Sequence, residues 1–65
     1  MIENEQLFQS KCSGGEELLE EERFFMAEDL FRQALNYTDK PSDISWVQGR
    51  IDMCKSGQER IGREI

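Results

Sequence analysis

A chain of 65 residues makes one small domain, and at this size only about 60% of the surface exposed by the unfolded chain is buried, so core packing needs help from a disulfide, a metal, a partner subunit or very close helix contacts. Two cysteines without CxxC spacing and no histidine write neither a disulfide framework nor a zinc finger into the sequence; free thiols in a reducing, cytoplasmic setting are the first expectation and a Cys12–Cys54 bridge is the alternative. The net charge of −6 repels phosphate and turns the expectation away from direct nucleic-acid binding, while no stretch approaches the roughly 20 apolar residues of a membrane span.

In chain order, residues 1–13 come first. Glu3–Lys11, with Leu7 and Phe8 as its apolar pair, is expected to form a short helical segment folding back on the rest, and Ser13-Gly14-Gly15 is expected to end it. Residues 16–37 contain no Gly, Pro, Val, Ile or Thr and are rich in Glu, Leu, Ala, Met, Gln and Arg, so intrinsic propensity predicts a helix. Its glutamates then lie in the first turns, where the helix dipole favours them. At about 100° per residue, Leu19, Met26, Ala27, Leu30, Phe31, Ala34 and Tyr37 share one face, Phe24 and Leu35 lie at its edge, and Leu18 and Phe25 fall opposite.

Asn36 to Ser42, with Pro41 inside, reads as a turn. Residues 42–65 form the next predicted helix, with a break expected near Gly57. Ile44, Val47, Ile51, Cys54, Gln58, Ile61 and Ile65 alternate spacings of three and four and make a narrow packing seam. A second stripe, Trp46, Met53 and Arg60 with Arg50 between, runs along another side. The architecture that follows is all-α: an antiparallel two-helix hairpin with a short N-terminal helical segment, with dimerisation into a four-helix bundle as a further expectation.

Charge is uneven along the chain. Residues 1–42 hold ten acids against four bases, and residues 43–65 balance four with four. Glu16, Glu17, Glu20 and Glu21 sit a helical turn apart in pairs. Such pairs can hold a hard cation or act as acid and base, but a helical metal site recruits further ligands, often histidine, and the chain has none. The plainer reading is a solvated acidic face, and the functional one is a patch for a basic surface on another protein. Leu18, Phe25, Trp46 and Met53, with Arg50, have no place in a single helix–helix seam and are candidates for a protein contact or a homodimer interface, unless the N-terminal Leu7 and Phe8 cover them. Cys54 lies on the seam and Cys12 beside the glycines, expected exposed; without a histidine neither has an activating base. Gly14-Gly15 lacks the residues of a phosphate loop.

The stretch Ala27-Glu28-Asp29-Leu30-Phe31-Arg32-Gln33-Ala34-Leu35 resembles the second helix of a tetratricopeptide repeat, with Ala, an aromatic and Ala at offsets zero, four and seven. It departs from that family in its late proline, Pro41, and in lacking the Trp and Tyr positions of the preceding helix, and one repeat cannot bury its own face. The expectation is therefore a non-enzymatic, cofactor-free interaction protein: an adaptor, chaperone-like or regulatory subunit. The alternatives are an acidic inhibitor of a nucleic-acid-binding protein or a structural component of a virion or secretion assembly.

Overall fold

The computed structural model describes the backbone of residues 4–64 and the side chains of residues 4–60. Within that span the chain is all-helical, with three α-helices, α1 (Glu5–Glu20), α2 (Phe24–Ala34) and α3 (Pro41–Glu64), a 3-10 turn at Leu35–Tyr37, and no strand. Three helices replace the expected two-helix hairpin with a minor N-terminal segment. Glu3, Ile65 and the side chain of Ile61 lie outside the described residues.

Asn4 caps α1, its side-chain oxygen accepting from the Leu7 N–H at 3.1 Å. Its own N–H donates to the Tyr37 carbonyl at 2.9 Å, which fixes the start of α1 to the 3-10 turn. The helix then runs straight through Ser13-Gly14-Gly15, where propensity predicted a break. Packing explains the difference. A Cβ at Gly15 would come within 2.8 Å of the Phe31 ring and one at Gly14 within 2.9 Å of Leu30 Cδ1, so the glycines let α2 lie directly on α1. Tertiary contact outweighs the roughly 1 kcal/mol that a helical glycine costs.

The long helix predicted over 16–37 is instead interrupted at residues 21–23. Glu22 has φ 62°, its N–H donates to the Leu19 carbonyl at 3.0 Å, and the Arg23 N–H donates to the Leu18 carbonyl at 2.8 Å. Those two bonds form a Schellman motif with Glu22 in the left-handed position that glycine normally takes. The glutamates therefore occupy the last turn of α1 rather than the first turn of a helix, and there the dipole disfavours negative charge and weakens continuation.

Because the chain reverses at 21–23, the helical phase restarts in α2. Phe24, Ala27, Phe31 and Ala34 are buried at spacings of three and four. Phe24 thus moves from the predicted edge into the core, while Met26 leaves the predicted core face and stands exposed. On α3 the seam holds: Val47, Ile51 and Cys54 are buried, with Ile44 and Gln58 half-buried. The expected break near Gly57 is absent, since Gly57 is buried and a Cβ there would meet the Phe24 ring at 2.5 Å. Pro41 takes the first helical position, where its missing N–H costs nothing. The buried Thr38 hydroxyl donates to Asp43 at 2.9 Å and accepts from the Lys40 N–H at 3.2 Å, closing the turn into α3.

Helix α2 lies in the middle. Phe24 meets Gly57, Glu28 meets Gln58 and Phe31 meets Trp46, so α2 and α3 run in opposite directions. Among the described residues no helix is long and apolar enough to cross a membrane.

Candidate functional site

The expected contact residues separate onto two surfaces. Leu18 at the end of α1 and Phe25 at the start of α2 join Met26 and Leu30 around a shallow depression in which Asp29 is the one charged lining residue. Phe25 is 71% exposed and Met26 53%, whereas Leu18 is half-buried against the core. Phe25 lies on the first turn of α2, on the side of the helix away from Phe24 and Ala27, so the same phase that buries those two pushes Phe25 outward.

Trp46, Arg50, Met53 and Glu16 gather elsewhere, on the side where α1 and α3 meet. Arg50 ties them together. Its Nε is 3.0 Å from Glu16 Oε1, its guanidinium lies 4.9 Å from the centre of the Trp46 ring, and Nη1 reaches Met53 Sδ at 3.4 Å. Trp46, 42% exposed, also sets its ring edge-on to the fully buried Phe31 at 6.1 Å between centroids. It is thus partly a packing residue. Phe8 lies beside it in a furrow that also takes in Cys12, Glu16 and Asp43, so the N-terminal helix covers this stripe in part and leaves Met53 half exposed. A single contact face joining Leu18, Phe25, Trp46 and Met53 is therefore not what the fold makes, because the reversal at 21–23 sends the first pair to the α1–α2 side.

Glu17, Glu20 and Glu21 are exposed, and Glu21 pairs loosely with Arg23 at 3.2 Å. The charge distribution is sharper than a division at residue 42 suggests. Residues 16–29 hold seven acids (Glu16, Glu17, Glu20, Glu21, Glu22, Glu28 and Asp29) and one base, Arg23, which equals the net charge of the entire chain; the other seven acids and seven bases cancel. The surplus negative charge is thus concentrated in sequence on residues 16–29, but in space Glu16 pairs with Arg50, Glu28 with Arg32, and Glu20 and Glu22 line a furrow with Met53 and Arg60, which leaves Asp29 as the acid in the Phe25–Met26 depression itself.

Glu28, like Glu16, is half-buried and held by partners. It accepts from Gln58 at 2.6 Å and from Arg32 at 2.7 Å, and the Gln58 hydrogen bond above all, then Arg32, holds its carboxyl below the ordinary carboxylate range against the opposing cost of burial. Both cysteines are free and buried, Cys12 included, contrary to its expected exposure. Burial raises both thiols; Asp43 and Glu16 add to the effect at Cys12, and Glu28 does so at Cys54. Such thiols are poor nucleophiles. Among the described residues no three His, Cys, Asp or Glu side chains come together as a metal site.

The exposure of Met26 beside the half-buried Leu30 was not legible, since it follows from a reversal built on a glutamate in a left-handed conformation. Comparison of the chain with family models, with curated proteins and with solved structures finds no match.

Proposed function

We propose that this chain is a small, non-enzymatic protein–protein interaction module whose contact surface is the Leu18, Phe25, Met26 and Leu30 patch. The observation that carries the reading is the exposure of two large apolar neighbours, Phe25 and Met26, in a chain that has few large apolar side chains to spare. Leaving them in water forgoes core burial that a domain this small needs, and such patches on small proteins mark association. Two unpaired buried thiols support a reducing, cytoplasmic setting. Dimerisation into a four-helix bundle has less to recommend it, because α1 already contributes Cys12 to the core and Phe8 beside Trp46.

The test is a double variant, Phe25→Ser with Met26→Ser. Both side chains lie outside the core, so helical circular dichroism and the thermal midpoint stay close to those of the parent. Affinity capture from the native host, quantified for parent and variant side by side, loses its specific partner in the variant. Equal capture by both chains would sink the reading. A second reading, an acidic inhibitor that occupies the basic groove of a nucleic-acid-binding protein, is favoured by the −6 gathered on residues 16–29. It requires capture that collapses in high salt and survives the double variant.

A further inference from the structure

Resting on the interaction reading above, we infer that the occupant of the Phe25 patch is a cationic amphipathic segment of another protein, and not a second copy of this chain. Two independent features meet at the same place. The apolar component is the depression formed by Leu18, Phe25, Met26 and Leu30. The electrostatic component is Asp29 in the depression itself and the exposed Glu21 and Glu22 in the turn immediately before Phe25; Glu16 and Glu28, held by Arg50 and by Gln58 of α3, are not part of it.

Complementarity therefore calls for apolar anchors on one stripe and Lys or Arg flanking it, the pattern of a basic amphipathic helix laid on an apolar surface. A two-fold dimer through the patch would instead place two such sets of acids against each other around the apolar contact, and like charges at the rim of an interface work against it. Ion pairs offset part of the negative charge, Arg23 with Glu21 and Arg32 with Glu28, whereas Asp29 in the depression is held by the neutral amide of Gln33 at 2.8 Å and keeps its charge. The acids also accelerate encounter with a cationic partner, because negative charge at the patch steers it there.

The probe is a fluorescein-labelled synthetic peptide of about 16 residues made of Leu and Lys in helical amphipathic order, compared with a peptide of the same composition whose order gives no apolar stripe. Fluorescence anisotropy follows binding to the full chain, and sedimentation equilibrium follows its mass. The expected result is binding of the amphipathic peptide at least about tenfold tighter than of the scrambled one. Phe25→Ser weakens it by at least about tenfold, Glu21→Lys with Glu22→Lys weakens it and flattens its salt dependence, and Trp46→Ala leaves it within about twofold. Circular dichroism checks the fold of each variant. Equal binding of both peptides, unaffected by Phe25→Ser, overturns the inference, since it shows charge attraction without use of the patch. A chain that binds neither peptide but sediments as a dimer dissolved by Phe25→Ser also overturns it; the occupant is then a second copy, and the interaction reading of the patch still stands. A monomer that binds neither peptide, with capture unchanged in the Phe25→Ser, Met26→Ser variant, removes both.

Discussion

Phe31 and Phe24 each lie over a glycine of a neighbouring helix, Gly15 and Gly57, at distances that leave no room for a methyl group. Glycine in a helix interior is normally a weakness worth repairing, and Gly49, which has nothing within 4 Å of an added Cβ, is such a weakness. The two kinds of glycine are predicted to respond oppositely to alanine. Gly49→Ala raises unfolding free energy by about 0.5–1 kcal/mol through propensity and reduced unfolded-state freedom. Gly15→Ala lowers it by about 1–3 kcal/mol, because an added methyl in a packed interface forces displacement. Urea midpoints of the two variants check this, and stabilisation by both would refute the close approach. From sequence alone these residues look alike: Ser13-Gly14-Gly15 and Gly57 both read as breaks, since a local rule sees the propensity cost and cannot see the aromatic ring waiting on the next helix.

Between elements, the most informative feature is the reversal at residues 21–23. Glu22 carries a left-handed backbone that costs a non-glycine residue about 1–2 kcal/mol, partly offset by the greater unfolded-state entropy of glycine. Glu22→Gly is predicted to raise stability by on the order of 1 kcal/mol, measured by the same urea titration, while a loss of stability would mean the Schellman geometry is not formed. Helical character was legible outside the glycines at 14, 15 and 57, because composition and the 44–58 seam state it directly. The boundary was not, because every residue from Glu16 to Arg23 except the two leucines is a charged helix former with no stop signal.

A second inter-element tie, Gln58 to Glu28, makes a pH prediction. The Glu28 carboxyl is held below its unfolded value chiefly by Gln58, so its contribution to stability is complete above the unfolded pKa and is lost as pH falls through the folded one. Gln58→Ala brings the two values closer. The variant is less stable at pH 7 and loses less stability on acidification from about pH 5 to pH 3 than the parent does. An unchanged slope in that interval would show that the hydrogen bond does not bind α3 to α2 in solution.

For the molecule as a whole, the sequence already stated a small, acidic, all-helical chain, and the surplus negative charge was countable residue by residue. The apolar patch beside part of it was hidden, since Leu18 and Phe25 meet Met26 and Leu30 only once the chain has doubled back. Size sets the tolerance for error. A domain of this length holds only about 3–5 kcal/mol of net stability, so Phe31→Ala, which removes a fully buried ring worth about 3–5 kcal/mol, is predicted to leave the chain unfolded at 25 °C, with loss of the far-ultraviolet helical signal. Retention of that signal would mean the ring is not the centre of the core.

Phe31 touches Gly15 of α1 on one side and Trp46 of α3 on another while belonging to α2. No pair of helices therefore encloses it, and there is no two-helix fragment with a complete interior. Folding is predicted to be all-or-none: a chain lacking α1 is expected not to retain α2 and α3 as a residual unit, and amide protons in the middle of all three helices are expected to exchange through one shared opening event, which native-state hydrogen exchange checks.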